Sequence, residues 1–398
     1  MNKPPQLVPR NRMPLYSAFL ALLYDPGWTD PEFFEIAKRQ NILLSIALLA
    51  CLGVAFRWYL PPHAAINLLM VVAFGYFVFK AGYTQSELLF YTLFFFAFVA
   101  CCETLSEPRT TRKVAIAALA GVLVALCHLT KAAILPFAAL FLVFGVGHSV
   151  TWWRLRPMPA ALLSSLAKTA VPLVFAVVFL AVFYPYASNS KRVFREYFYN
   201  VNSTFYLWCD NWAQAASGPF SHGDHVGRPQ MRKSELPGPA KYWKEHTLRQ
   251  IADRIRGGFL DMVVRSYQTF WYFKYVALFA AFGLVLLATR LTEVRAVLAE
   301  SPAVVFFSVL YLATYLLLTA FYHPISGTGT TRFLLTHVAP ALFLLSRLFA
   351  HPRVANAQWS VAGLKLTAAH FQWAVSISLA LDLAFVIWPR LMTTYGGF

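Results

Sequence analysis

Charged residues are scarce in this sequence: they make up 13% of its 398 residues, whereas hydrophobic residues make up 59%. A soluble domain carries roughly twice that charged fraction. A single core in water cannot hide so much apolar surface, so lipid must be the solvent for much of the chain. The scarcity of charge therefore excludes a soluble globular protein and predicts an integral membrane protein.

Acidic residues and cysteines are also few. The 17 Asp and Glu stand against 34 Lys and Arg, which gives a formal charge of +17. In a soluble protein this excess would suggest a nucleic-acid partner, but the sequence has no arginine-rich arm or nucleic-acid motif. The excess is instead typical of cytoplasmic loops, and it would also attract phosphate-bearing lipids or substrates. The five cysteines show no metal-ligand spacing, and we predict no structural disulfide.

Long apolar runs are what the sequence does have, most of them near the roughly 20 residues that a helix needs to cross a bilayer. Backbone polar groups find no partners in lipid, so these runs must form helices. We predict an all-α integral membrane protein, a polytopic bundle of about ten transmembrane helices with one large exterior loop. The predicted spans are Asn41–Leu60, Ala64–Lys80, Glu87–Cys102, Lys113–Thr130, Ala132–Val150, Thr169–Ala187, Trp271–Thr289, Ala303–Tyr322, Phe333–Leu348 and Thr367–Trp388.

The spans divide the chain into four parts. These are an exterior or interfacial lead-in at 1–40, membrane helices at 41–187, a large loop at 188–270, and membrane helices with a tail at 271–398. Lys and Arg favour the cytoplasmic ends of spans. One set of short links is rich in them, whereas the opposite links and the tail carry only Lys80, Lys131, Arg332 and Arg390. This bias predicts that the large loop and those four residues lie on the exterior side.

Two further segments have the pattern of helices that lie at a membrane surface. Met13–Tyr24 is apolar but too short to span, which predicts an interfacial helix. In the large loop, apolar residues recur at helical spacing with basic residues between them, which predicts an amphipathic helix on the membrane or on the other helices. Those apolar residues are Leu248, Ile251, Ile255 and Phe259.

Glu87 and Lys131 are candidates for chemistry because each lies at a predicted exterior helix end. A carboxylate at membrane depth is costly and is by default a functional-site hypothesis. Glu87 is explained equally well as an N-terminal charge that the helix dipole favours. Lys131 lies in a very short link, where a compact ammonium can hold phosphate or can simply reach from a helix end to the interface.

Arg332 follows the run Gly-Thr-Gly-Thr-Thr at 327–331. Glycines let a backbone approach a ligand closely, and an arginine beside them can grip phosphate with two hydrogen bonds. The run does not match the P-loop pattern, and an ordinary exterior turn also explains it.

The large loop combines aromatic rings with a carboxylate in Trp208, Asp210 and Trp212, a combination common in sugar sites. Two histidines and an aspartate at 222–225 could bind a divalent metal. A folded polar loop explains both groups equally well, so we assign no metal and no cofactor.

Four elements of the sequence resemble those of GT-C membrane glycosyltransferases, in order and spacing across most of the chain. They are Arg12-Met13-Pro14-Leu15-Tyr16, Ser86-Glu87, Gly121 with Leu129-Thr130-Lys131, and Thr331-Arg332-Phe333-Leu334 with Pro340. They are similar to the Arg-x-Pro-x-Tyr, Ser/Thr-Glu, Leu-Thr-Lys and Arg-Tyr-Leu-x-Pro-type elements of that family. The nearest members would be protein mannosyltransferases and the aminoarabinose transferases of lipid A.

The resemblance implies that the chain transfers a sugar from a polyprenyl-phosphate donor to an exterior lipid, glycan or protein acceptor. It implies donor-phosphate binding by Lys131 and Arg332 and an active-site carboxylate in Glu87. We add Arg12 as a further phosphate-binding candidate, and Tyr16, Trp208, Asp210 and Trp212 as candidates for acceptor contacts. We predict no cofactor and leave a divalent metal open. The expected location is the bacterial inner membrane, with the active site on the periplasmic face.

The chain departs from the family at its start. In the family, an aspartate that follows a first helix precedes the Arg-x-Pro-x-Tyr element, but here only eleven residues precede Arg12 and none is acidic. The charge bias also places the basic lead-in outside with nothing to translocate it. We expect an in-frame upstream extension that encodes the helix and the aspartate. The alternatives are a truncated, non-catalytic membrane scaffold and a transporter or lipid flippase, which would need polar residues along several helix interiors.

Overall fold

A computed structural model describes residues 13–154, 161–194, 197–198, 200, 205–215, 237–269, 273–326, 333–361 and 364–395. The helices are α1 Pro14–Ala21, α2 Asp30–Tyr59, α3 Pro62–Val72, α4 Val78–Lys80, α5 Glu87–Ser106, α6 Thr110–Thr130, α7 Leu135–Arg154, α8 Ala161–Phe194, α9 Pro239–Glu245, α10 Leu248–Thr269, α11 Phe273–Thr289, α12 Leu291–Ala299, α13 Pro302–Ser326, α14 Leu335–Ala350, α15 Pro352–Ala355, α16 Ala368–Asp382 and α17 Trp388–Tyr395. Two π-helical turns, Ala73–Phe77 and Leu383–Ile387, join α3 to α4 and α16 to α17. Strands β1 (Trp359–Val361) and β2 (Leu364–Leu366) form an antiparallel hairpin before α16.

Seven helices in the described part of the chain are long and apolar enough to cross a membrane. They are Asp30–Tyr59, Pro62–Lys80, Glu87–Ser106, Thr110–Thr130, Ala170–Arg192, Pro302–Ile325 and Ala368–Thr393. Helices α11 and α12 add an eighth if this pair, bent by 105°, is one span. Ala132–Gly147 and Thr336–Ala350 are apolar but shorter. The chain is therefore an all-α integral membrane protein, but length and composition alone do not establish ten crossings.

Local sequence signals explain where the helices begin. Thr29 and Glu32 form a reciprocal capping box ahead of α2, in which the Thr29 N–H donates to the Glu32 carboxylate at 2.8 Å. Because this cap lies in the polar lead-in, α2 begins at Asp30, ahead of the predicted span that starts at Asn41. A proline opens both α3 and α13, at a position where its missing N–H leaves no helical hydrogen bond unmade.

The first of two structural units comprises Met1–Leu22, Leu93–Arg265 and Phe306–Leu334. Its core is aromatic: the ring centroids of Phe94 and Phe137 lie 5.3 Å apart, and both rings contact that of Tyr311. Helices α6 and α8 approach closely at Gly121, where an added Cβ would lie 2.7 Å from the carbonyl oxygen of Phe175. Gly121 is thus needed for packing, since any larger residue would force the two backbones apart.

The second unit comprises Leu23–Thr92, Ser266–Val305 and Leu335–Phe398. Here a buried polar network joins α3 to α16. The Asn67 amide donates to the backbone and side-chain oxygens of Gln372, both at 2.9 Å, and the Ser376 hydroxyl donates to the Asn67 oxygen at 2.7 Å. Such side-chain hydrogen bonds hold helices together where lipid gives no hydrophobic driving force.

Helix α10 lies where the large loop was predicted to form an amphipathic helix. Of its predicted apolar residues, Ile251 is buried, whereas Leu248 and Phe259 are 76% and 42% exposed. Gly258 and Met262 lie on the buried side with Ile251. An added Cβ on Gly258 would lie closer than 3.0 Å to the carbonyl oxygen of Ala320. Helices α10 and α13 therefore come into close backbone contact at Gly258.

Candidate functional site

Glu87 is the first residue of α5, as predicted. Its side chain is only 6% exposed. The Ser86 carbonyl accepts the Phe90 N–H at 2.9 Å, so the helix is hydrogen-bonded from the residue just before Glu87. A carboxylate at this end of a helix is favoured by the macrodipole, which explains how it is tolerated while buried. Its position is consistent with both interpretations, an active-site carboxylate and a helix-end charge.

Lys131 lies directly after α6, in an extended conformation that ends the helix. Its N–H donates to the Cys127 carbonyl at 2.8 Å. Its ammonium lies 4.7 Å from the ring centroid of Phe333, a cation–π contact. Phe333 immediately follows Arg332 in the sequence, so two elements of the resemblance meet at this contact although they are far apart along the chain.

Tyr315 of α13 fixes the link that follows Lys131. The Tyr315 hydroxyl donates to the Ala133 carbonyl at 2.7 Å and accepts the Phe137 N–H at 3.2 Å. One side chain therefore satisfies a carbonyl of the link after Lys131 and an N–H in the first turn of α7. The position of Lys131 is consequently determined by the helix core rather than by its own short link.

The first described part of the chain also contacts α6. Tyr16 is buried in α1, which packs against α6, and the Tyr186 hydroxyl lies 3.5 Å from the Met13 sulfur. This places the described part of the Arg-x-Pro-x-Tyr element against the helix that ends at Lys131. Tyr16 was predicted as an acceptor contact, a role that its burial neither requires nor contradicts.

Arg12 and Arg332, the other two predicted phosphate ligands, lie outside the described residues. Glu87 belongs to the second unit and Lys131 to the first. Convergence of Glu87, Lys131 and Arg332 on one cavity therefore stays a prediction.

The possible metal-binding group at 222–225 also lies outside the described residues. Among those that are described, no group of three His, Cys, Asp or Glu side chains could hold a metal ion.

Two of the predicted loop residues, Trp208 and Asp210, lie near Arg254, which the sequence did not distinguish from other basic residues of α10. The Arg254 side chain is only 8% exposed. It donates to the Phe321 carbonyl at 2.8 Å and to the Leu207 carbonyl at 3.3 Å. Arg254 thus ties the Trp208 segment to the end of α13.

Aromatic rings surround this arginine. Its guanidinium carbon lies 4.1 Å from the ring centroid of Phe321 and 5.2 Å from that of Tyr242, whose hydroxyl it also contacts at 3.0 Å. The Trp208 ring lies 6.0 Å from each of these two rings. Trp208 therefore has a packing role, and its contact with an acceptor stays a prediction.

Asp210 and Trp212 are the accessible members of this group. Asp210 accepts from His246 at 3.0 Å and lies 3.7 Å from Arg254, yet its side chain remains 48% exposed. Trp212 is exposed, with its ring 6.0 Å from that of Tyr206. A carboxylate held in place by its partners can accept a hydrogen bond from a sugar hydroxyl. An exposed indole ring can stack on the face of a sugar.

Cys209, between these residues, is fully buried and free. Burial, with the neighbouring charge of Asp210, raises the pKa of its thiol to about 11. The thiol is consequently protonated at neutral pH, and a protonated buried thiol is a poor nucleophile. Cys209 contributes to packing rather than to chemistry.

A second charged cluster, which sequence reasoning missed, joins α10 to α13. Asp261 contacts the imidazole of His323 and accepts a hydrogen bond from Arg265 at 2.7 Å. The Arg265 hydrogen bond, with a smaller contribution from His323, lowers the pKa of Asp261. His323 lies near the end of a predicted span, where the sequence shows no partner, because that partner is on a distant helix.

No protein-family model, curated protein or solved structure shows a significant similarity to this chain.

Proposed function

We propose that this protein is a membrane glycosyltransferase of GT-C type, which transfers a sugar from a polyprenyl-phosphate donor to an exterior lipid, glycan or protein acceptor. The observation that carries the proposal is the contact of Lys131 with Phe333. It brings the Leu-Thr-Lys element to the residue next to Arg332. Two cations from distant segments would hold a leaving lipid phosphate better than one, because attraction strengthens at the low-dielectric boundary of the membrane.

The proposed roles follow from residue chemistry. Lys131, Arg332 and Arg12 bind the donor phosphate, and Glu87 accepts a proton from the acceptor hydroxyl or orients it. Trp208, Asp210, Trp212 and Tyr16 contact the acceptor. The chain would cross a bacterial inner membrane ten times, with Ala132–Gly147 and Thr336–Ala350 as the two short crossings and residues 188–270 on the periplasmic side.

The test is the affinity for undecaprenyl phosphate, the expected product, in lipid nanodiscs. Lys131→Met removes the ammonium but keeps much of the apolar stem. We expect the affinity to fall about tenfold or more, since a hydrogen bond to a charged group contributes ~1.5–3 kcal/mol. Lys113→Met, at the opposite end of α6, is the matched control and should bind like wild type. Equal affinities for the wild type and both variants would remove Lys131 from the site.

A transporter or flippase is the second candidate, favoured by one observation in the second unit. Asp382 forms an ion pair with Lys274 and accepts a hydrogen bond from Tyr275, next to the π-helical turn Leu383–Ile387. Ionisable residues within spans often mark transport pathways. If transport is the function, Asp382→Asn abolishes it; if the protein is a glycosyltransferase, this variant keeps its transfer activity once folded.

A further inference from the structure

The turn between α4 and α5 carries the chain into Glu87. Two hydrogen bonds lie within this segment: the Tyr83 N–H donates to the Lys80 carbonyl at 3.1 Å, and the Gln85 N–H donates to the Tyr83 carbonyl at 2.8 Å. The ammonium of Lys80 also lies 4.3 Å from the ring centroid of Tyr83. These contacts are local, so they shape the turn but do not fix it to the rest of the unit.

Asn41 of α2 supplies the long-range attachment. Its side chain is fully buried. Its amide nitrogen donates to the carbonyl of Ala81 and to that of Tyr83, both at 2.8 Å. The two N–H bonds of one amide group thus hold two carbonyls of the same turn. Both hydrogen bonds are half-buried, so removing this donor would leave the two carbonyls to bond to water and would free the turn to move.

We propose that Asn41 is a positioning residue that locks the turn at 81–86 and thereby sets the place of the Glu87 carboxylate. The Ser86 carbonyl accepts the first helical hydrogen bond of α5, so a displaced turn would displace Glu87 with it. A misplacement of about 1 Å at a reacting group can cost about 100-fold in rate. The catalytic half of this inference rests on the proposed function, whereas the lock itself does not.

Asn67 offers a matched control in the same unit. It is also buried, and its amide nitrogen also donates twice, to the backbone and side-chain oxygens of Gln372 at 2.9 Å. These bonds join α3 to α16 and do not involve the turn before Glu87. Replacing Asn67 should therefore reproduce the general cost of losing a buried amide without releasing the turn.

The lock is tested by hydrogen exchange of the full chain in nanodiscs. Asn41→Ala should raise the exchange rate of the amides at 81–86 about tenfold or more, and Asn67→Ala should leave them unchanged. Asn41→Asp, nearly the same size but without the amide donor, should act like Asn41→Ala. Unchanged exchange at 81–86 in both Asn41 variants, or an equal rise in Asn67→Ala, would overturn the lock.

The catalytic consequence is tested separately by sugar transfer from a labelled undecaprenyl-phosphate hexose. Asn41→Ala should lower kcat about tenfold to 100-fold with little change in KM, because the phosphate ligands are untouched. Asn67→Ala should keep the wild-type kcat at equal folded concentration. A released turn with unchanged kcat contradicts the positioning role. A wild-type protein that transfers no sugar contradicts the proposed function and the catalytic half of the inference, while the exchange result still decides the lock.

Discussion

At the scale of single residues, Arg254 is the clearest case of a side chain whose partners require one residue type. It donates to the carbonyls of Phe321 and Leu207 and lies against the ring of Tyr242. These three partners come from three separate segments of the chain. A planar guanidinium with several fixed donors can satisfy them together, which the single ammonium of lysine cannot.

Arg254→Lys is therefore expected to loosen the segment at 205–215 although the charge is kept. The rate of amide hydrogen exchange in the segment at 205–215 should rise about tenfold or more, because a hydrogen bond from a charged donor contributes ~1.5–3 kcal/mol. Arg249→Lys on the same helix is the control, since Arg249 is 93% exposed. Equal protection of 205–215 in both variants would show that Arg254 does not hold the loop.

Asp261 should make the stability of the α10 and α13 contact depend on pH. Its lowered pKa means that the folded state favours the charged carboxylate, so the stabilisation is present above the ordinary aspartate pKa of about 4 and is lost as the pH falls through the lowered value. Asp261→Asn should therefore lower Tm at pH 7 and have little effect well below pH ~4. Asp253→Asn, on the exposed face, should change Tm little at either pH.

At the scale of elements, two adjacent glycines in α10 have opposite consequences. An added Cβ on Gly258 would collide with the backbone of Ala320, whereas one on Gly257 would meet nothing within 4 Å. Gly258 therefore determines how closely α10 lies on α13. Gly257 has no such role, and in a helix interior it is unfavourable.

The substitutions Gly258→Ala and Gly257→Ala should accordingly have effects of opposite sign. Gly258→Ala should destabilise by about 1–3 kcal/mol, as overpacking does. Gly257→Ala should stabilise by up to ~1 kcal/mol through helix propensity. Thermal unfolding in one detergent measures both. A stabilising Gly258→Ala would show that the two helices are not in backbone contact there.

Element positions followed from local pattern, whereas close contacts between elements did not. The apolar runs predicted a helix for every proposed span, because backbone satisfaction in lipid leaves few alternatives. The close approach of α10 to α13 was not predicted because Gly258, a residue with no side chain, allows it. The first turns of α2 were not predicted because they and the Thr29 cap lie in polar sequence ahead of the predicted span. Arg254 and His323 were not singled out because their partners lie on segments distant in sequence.

At the scale of the whole molecule, the charge bias makes a prediction independent of any site. A reporter fused near Gly238 should lie on the exterior side, and one near Pro157 on the cytoplasmic side, because Lys and Arg are retained in the cytoplasm. Fusions at both positions in intact cells measure this. The reverse result would contradict the predicted orientation. It would also contradict the proposed enzyme activity, since the predicted site would then face the cytoplasm.

The sequence predicted which residues form the candidate site and that they lie at helix ends. It did not predict whether they come together in space. Lys131 was predicted at a helix end, and its contact with Phe333 joins two of the four elements of the resemblance. Glu87 was predicted at the start of a helix and lies there, buried. Whether these residues meet depends on long-range packing, which periodicity and spacing do not encode.

The most direct measurement is sugar transfer by purified protein in nanodiscs from a labelled undecaprenyl-phosphate hexose, assayed with wild type, Lys131→Met and Lys113→Met. We expect wild type and Lys113→Met to transfer label to an envelope acceptor. We expect Lys131→Met to be expressed nearly normally and to transfer none, because the leaving phosphate has lost its cation. Full transfer by Lys131→Met, or no transfer by a wild-type protein that binds the donor, would contradict the assignment.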